Sequence, residues 1–208
     1  MMEGLVSWTA LYYDDKCGEE EPLKKIVTKF GGSSLADAGQ FAKVKRILAL
    51  DPARRYVVPS APGRRFKEDE KVTDLLYRCH ELAARGEDYQ ETFDKIAARY
   101  MDIAEELGLS LDLGAVLDEV DERIGTGASA DWCASRGEYL GGRFFVPAKG
   151  ILFDETGRFD AERTQVVLSE ALADGEPTVV PGFFGSKPNG EVHTFSRGGS
   201  DVTGAIVA

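Results

Sequence analysis

Apolar residues along the chain follow two periods, and where one gives way to the other the chain turns on glycine. Ile26-Val27 alternates into Lys29 and Phe30, then meets Gly31-Gly32-Ser33-Ser34. Phe41, Val44, Ile47 and Leu48 follow at the spacing of one helix face, so this segment predicts strand, glycine turn, helix. Residues 55–59 (RYVVP) predict a second short strand running into the turn-forming Ser60-Ala61-Pro62-Gly63. Residues 64–71 carry dense mixed charge without an apolar period and predict a mobile loop. Three helical stripes come next: Val72, Leu75, Leu76, Cys79, Leu82 and Ala83; then Phe93, Ile96, Ala97, Tyr100, Ala104 and Leu107; then Leu113, Val116, Leu117, Val120 and Ile124. These are core-facing surfaces, Cys79 and Tyr100 included.

Small residues over 125–130 break the pattern, and a short helix resumes over 131–140. Residues 144–146 and 151–153 are short apolar runs around Pro147. A helix opened by Asp160 as N-cap carries Val166, Val167, Ala171 and Leu172. Residues 178–181 predict a buried strand, and a hairpin follows, turning at Pro188-Asn189-Gly190 and returning through Val192–Thr194. The chain then repeats its opening arrangement through Ser196-Arg197-Gly198-Gly199-Ser200-Asp201 and a last helix. Alternating strands and helices predict an α/β fold: a three-layer α/β/α sandwich on a mainly parallel sheet, with the helical pair over 72–107 projecting from it or flanking it.

A length of 208 residues suffices for one α/β domain with a buried core. The formal charge of −11 argues against a nucleic-acid or anionic-membrane partner, though a local basic pocket remains compatible with it. Cys17, Cys79 and Cys133 are far apart, and neither His80 nor His193 stands at metal-ligand spacing with them, which reads as reduced cytosolic thiols. The location expected is cytoplasmic, since no apolar run approaches the ~20 residues that span a bilayer and residues 1–15 lack the basic start of a secretion signal. Residues 1–22 read as an extension: loosely attached or disordered, a partner-binding tail, or a start site placed too early.

Chemistry gathers at the two glycine turns. Gly31 and Gly32 leave backbone N–H groups uncovered, and a helix start behind them adds free N–H groups and partial positive charge. Lys29 can place its ammonium over the same spot, so the turn suits phosphate; it is equally an ordinary βα turn with a surface lysine. It is neither a Walker A loop nor a G-x-G-x-x-G turn. At the second turn, Arg197 suits a bidentate grip on a carboxylate. Asp201 either holds a metal-bound water, orients a lysine, or simply caps its helix. Glu138, taken alone, reads as a solvated helix glutamate.

From about residue 25 to the end, four motifs in order resemble aspartate kinases of the amino-acid kinase superfamily. Residues 29–34 (KFGGSS) resemble K-F-G-G-[TS]-S, and Ser60-Ala61-Pro62-Gly63 with Val72-Thr73-Asp74 resembles S-A-…-T-[ND] with a charged insertion. Ser135-Arg136-Gly137-Glu138 resembles S-x-G-E, and 182–201 resembles G-F-x-G…T-x-x-R-G-G-S-D. The resemblance implies phosphorylation of the L-aspartate side-chain carboxylate by ATP with Mg2+, giving 4-phospho-L-aspartate on the way to lysine, threonine and methionine. It implies Lys29 and Asp201 as catalytic residues, and Gly31, Gly32 and Ser33 as the phosphate cradle. Thr73, Glu138, Arg197, Gly198, Gly199 and Ser200 would bind substrate; no protein-held metal site and a homo-oligomer complete the picture.

Two departures qualify that resemblance. The stretch from Glu138 to Phe153 is shorter than is usual in the family. The chain also ends soon after the last motif, where the family's adenine and ribose contacts and its ACT domains follow. Residues 23–208 are therefore expected to be the N-terminal, aspartate- and phosphate-binding part of the kinase domain, active only with the missing half. The alternatives are an inactive remnant that binds aspartate or a partner chain, and another amino-acid kinase activity, on acetylglutamate, glutamate or uridylate.

Overall fold

In the computed structural model, which describes residues 25–142, 150–173, 175–196 and 198–208, the first two apolar runs become strands β1 (Val27–Phe30) and β2 (Tyr56–Pro59). They pair in parallel, Val27 opposite Tyr56 and Phe30 opposite Pro59. Strand β3 (Thr178–Val179) adds in parallel to the other side of β2. The extension over 1–22, the apolar run 144–146 and Arg197 lie outside the described residues.

Alternation along the strands sends successive side chains to opposite faces. Phe30 and Val57 join the main core with Phe41, Val44 and Leu48 of α1 (Ala38–Ala49). The same core takes in α2 (Val72–Ala84), α3 (Gln90–Glu106), α4 (Leu113–Gly125) and α5 (Ala130–Gly142), and the predicted stripes are their buried faces. The helical pair over 72–107 does not project; α2 packs against both α3 and α5 within one helical layer. On the opposite face, α7 (Gly199–Val207) packs against β1 and β2, while α6 (Ala161–Ala171) puts Leu168 into a smaller cluster with Ile151, Phe153, Ile206 and Val207. Helices thus cover both faces of a parallel sheet, the three-layer α/β/α arrangement.

The predicted hairpin forms from β4 (Phe184–Ser186) and β5 (Val192–Thr194), antiparallel and separate from the parallel sheet. The second glycine turn therefore leaves a hairpin, not a strand of the main sheet. Helix α5 fastens the hairpin: the Asp131 carboxylate accepts from the Thr194 N–H (3.1 Å) and hydroxyl (2.8 Å) and lies 2.8 Å from His193 Nδ1. Arg136, buried beside it, stacks on Trp132, Tyr139 and Phe184.

Three local expectations need correction. Helix α6 does not bury Val166, which is 55% exposed, but Thr164 and Leu168; Thr164 is drawn inward because its Oγ1 accepts the Leu152 N–H at 3.0 Å. The helix start behind Gly31-Gly32 is a 3-10 turn, Gly32–Leu35, and α1 begins later, with the Asp37 carboxylate capping the Gln40 N–H. The charged segment 64–71 is tied down at Asp69, which accepts from Arg65 and from Arg99 of α3. Arg99 is 4% exposed, and a buried guanidinium demands a carboxylate, which the local charge pattern alone does not reveal. Among the described residues no helix is long and apolar enough to cross a membrane.

Candidate active site

Adjacent strands β1 and β2 end in glycine-containing turns, and the parallel pairing brings those turns together. The Gly63 N–H donates to the Gly32 carbonyl at 2.8 Å. A Cβ on Gly32 would lie 2.9 Å from the Ala61 carbonyl oxygen, and one on Gly63 would lie 2.6 Å from the Gly32 carbonyl carbon. Only glycine permits so close a backbone approach at both positions. Beside this contact opens a cavity of about 420 Å³, lined by Gly32, Ser33, Ser60, Gly63, Thr73 and Glu138. Thr73 belongs to the first turn of α2, whose N-cap position, Lys71, offers no side-chain cap. The positive end of the helix dipole therefore faces the cavity's edge.

Glu138 is no surface glutamate: it is 4% exposed, on the face of α5 that packs against α2 and the Ala61 turn. Gly137 makes this possible, since its own Cβ would stand 2.7 Å from that of Ala61. The Glu138 carboxylate accepts from the Ala61 backbone N–H, and its Oε2 is buried with no hydrogen-bond partner among the described residues. Burial pushes its pKa up to about 7, while the Ala61 amide and the more distant Lys29 ammonium pull it partly back. A half-satisfied buried carboxylate in a cavity wall is set to receive a donor.

On the other side of the glycine loop, Lys29 lies with its stem against Gly204 of α7 and its Nζ over Gly31. The ammonium is 2.7 Å from Asp201 Oδ1, and the two side chains are 29% and 72% exposed. So open an ion pair contributes little stability; its consequence is to fix where the lysine charge stands. Asp201 reaches this place because Gly198 at the N-cap adopts φ 62° and Gly199 packs on Phe183, where a Cβ would stand 2.7 Å from Cδ2. Phe183 itself has φ 79°, a strained conformation for a bulky residue, and its N–H donates to Thr203 Oγ1 at 3.2 Å. Ser200 is buried against Gly182.

The structure thus gathers Lys29, Gly31, Gly32 and Asp201 in one place, and Ser33, Thr73 and Glu138 around the adjoining cavity. Gly198, Gly199 and Ser200 shape the turn that presents Asp201. Sequence reasoning passed over Ser60 and Gly63 as site residues and the clustering of Arg64 and Lys71 on the cavity rim. One signal was present: Gly63 follows β2 as Gly31-Gly32 follows β1.

A sequence model described as the amino acid kinase family matches residues 24–208. The chain belongs to the amino acid kinase family. It is 37% identical to aspartokinase 3 of Bacillus subtilis (strain 168) over 206 residues, 88% of this chain and 45% of that protein. To the lysine-sensitive aspartokinase 3 of Escherichia coli (strain K12) it is 29% identical over 217 residues, 88% of this chain and 46% of that protein. The crystal structure of Clostridium acetobutylicum aspartate kinase superposes with a TM-score of 0.85 at 46% identity, covering 89% of this chain and 45% of that one. The chain therefore spans about 45% of the length of the relatives it matches. These matches agree with the likeness to aspartate kinases read from the four motifs, and the superposition on the Clostridium acetobutylicum enzyme agrees with the α/β fold on a parallel sheet.

Proposed function

We propose that this chain supplies the aspartate- and phosphate-binding part of an aspartate kinase, transferring the γ-phosphoryl group of MgATP to the side-chain carboxylate of L-aspartate. The observation that carries this reading is Glu138: a buried carboxylate with a free oxygen in the wall of a cavity otherwise lined by glycine-turn backbone and a helix N-terminus. Its chemistry matches a ligand that brings an ammonium at one end and anionic groups at the other. The likeness to aspartokinases of Bacillus subtilis and Clostridium acetobutylicum supports the same substrate.

In this reading Glu138 accepts the substrate ammonium and Thr73 its neighbouring polar atoms, while Arg197 with the Gly198-Gly199-Ser200 turn receives the α-carboxylate. The side-chain carboxylate is ionised at neutral pH and needs no general base. It attacks the γ-phosphorus; a carboxyl oxygen–phosphorus bond forms, the bond to the bridging oxygen breaks, and ADP leaves with that electron pair. Mg2+ enters with ATP and neutralises phosphate oxygens. Backbone N–H groups of Gly31, Gly32 and Ser33 cradle the phosphates, and Lys29, held by Asp201, places its charge where negative charge develops. Positioning and charge neutralisation carry the reaction, so no histidine is called for. The reading extends to a cytoplasmic homo-oligomer serving synthesis of aspartate-derived amino acids.

The test is 31P NMR, with MgATP and L-aspartate, of this chain joined to the C-terminal half of an aspartate kinase catalytic domain. An acyl phosphate resonance appearing with ADP, only when aspartate is present, is expected. ADP formation indifferent to aspartate would overturn the assignment of substrate.

A further inference from the structure

The inserted segment between the two halves of the second motif has a fixed geometry that the reaction as described does not use. Arg99, on the buried face of α3, donates from Nη1 to the Gly63 carbonyl at 2.9 Å and from Nη2 to both Asp69 carboxylate oxygens at 2.9 and 2.7 Å. Asp69 also accepts from the Arg65 N–H at 2.9 Å and from the Arg65 Nε at 2.9 Å. Asp69 is 9% exposed in its side chain, so two guanidinium groups and a backbone amide converge on one nearly buried carboxylate. They hold that carboxyl well below the usual carboxylate range. The segment is thereby pinned in its middle by Asp69 and at its start by Gly63. Its two ends carry Arg64 and Lys71, and both line the cavity whose wall holds Glu138.

We propose that Asp69 and Arg99 form a clamp that holds residues 64–71 across the cavity mouth, so that Arg64 and Lys71 make a cationic rim that takes an anionic end of the substrate, a carboxylate or a phosphoryl group. The proposal rests on reading the cavity as the aspartate site. Arg99 is then a positioning residue: it touches no substrate but fixes both the glycine contact at Gly63 and the placement of the rim. The arrangement divides the cavity by charge, with an acceptor at Glu138 in the wall and donors at the mouth beside the α2 N-terminus. A ligand carrying both charges is oriented by it, whereas a simple cation or anion engages one end only. Residues 65, 67 and 68 are exposed even with the clamp in place, so without it nothing at Asp69 would hold the segment and the rim would lose its fixed position.

Four forms of the protein, titrated calorimetrically with L-aspartate at pH 8, test this. They are the unaltered chain, the rim variant Arg64→Ala/Lys71→Ala, the clamp variant Asp69→Leu/Arg99→Met, and the combination of all four substitutions. The clamp variant replaces both partners with apolar residues, because removing only one would strand a buried charge and risk the fold; thermal melting checks that each form is folded. The rim variant should bind aspartate about tenfold more weakly. The clamp variant should weaken binding to the same degree, and the combination should be no weaker than either. An unchanged affinity in the rim variant, or losses that multiply in the combination, would overturn the proposal. Should the unaltered chain bind no aspartate, the substrate reading fails, and inorganic phosphate serves as the probe in the same four titrations. Phosphate binding weakened to the same degree by the rim and by the clamp variant, and no further by their combination, supports the clamp; no phosphate binding, or binding indifferent to either variant, overturns it.

Discussion

Replacing Glu138 with glutamine should favour the fold more at alkaline than at acidic pH while removing its aspartate site. Burial raises this carboxyl from 4.5 to about 7. A carboxyl whose folded pKa exceeds its unfolded one holds its proton more tightly in the folded chain. Its contribution to stability is complete below pH 4.5 and is lost as pH rises through about 7. The difference, 7 − 4.5, corresponds to about 3 kcal/mol of penalty at pH 8 and under about 1 kcal/mol at pH 5. Glutamine has the same shape and no charge to bury, so it escapes the penalty. The amide left unpaired at the Oε2 position subtracts a similar amount at every pH. The informative quantity is therefore the change in the variant's advantage between the two pH values, about 2.5 kcal/mol, or roughly 5–10 °C in Tm for a chain of this size. Thermal unfolding of both proteins at pH 5 and pH 8, followed by circular dichroism, reads it directly. An advantage of equal size at both pH values would refute the claim that Glu138 is a desolvated, incompletely paired carboxylate.

The remaining predictions concern the groups around it. Gly63→Ala should destabilise the fold by about 1–3 kcal/mol, since its Cβ would enter the Gly32-Ser33 backbone at 2.6 and 2.8 Å, and should abolish aspartate binding; chemical denaturation and titration check the two effects. Tyr100→Phe leaves the Gly137 carbonyl without the hydroxyl that donates to it at 2.7 Å, and should cost about 1–2 kcal/mol by denaturant unfolding. Lys29→Met should end aspartate-dependent ADP release by the chain joined to the C-terminal half of the catalytic domain, while leaving aspartate affinity at pH 8 within about threefold, because the ammonium stands at the phosphate loop rather than in the cavity wall. The same variant should shift the pH midpoint of aspartate binding upward, since Lys29 is one of the groups that hold the Glu138 pKa down; an unmoved midpoint would separate the two residues electrostatically.

Period and punctuation made most of this fold legible. The strands β1 and β2, the stripes of α2 to α4, and the hairpin around Pro188-Asn189-Gly190 follow from local spacing, because each is a local solution to burying apolar side chains. Local pattern failed where a distant partner decides. Glu138 resembles any helix glutamate until Gly137 lets α5 press against the Ala61 turn. Asp69 lies in a stretch that reads as solvated, and its partner Arg99 is 30 residues away on another helix. Thr164 is polar, yet it displaces Val166 from the buried face because an amide of residue 152 needs an acceptor. The glycine turns were visible as turns, but their mutual contact depends on parallel register between β1 and β2, which no single segment carries. The ion pair of Lys29 with Asp201 spans nearly the whole chain; the residues of the second turn offered a lysine as one partner of Asp201, and only the resemblance to aspartate kinases pointed to which lysine.

Titration of L-aspartate into the protein across pH 5.5 to 9 tests the central claim most directly. One binding site is expected, its affinity rising with pH through about 7 as Glu138 ionises, and disappearing in Glu138→Gln at every pH. Binding that is absent at pH 9, independent of pH, or retained in Glu138→Gln would contradict the assignment of the cavity to aspartate.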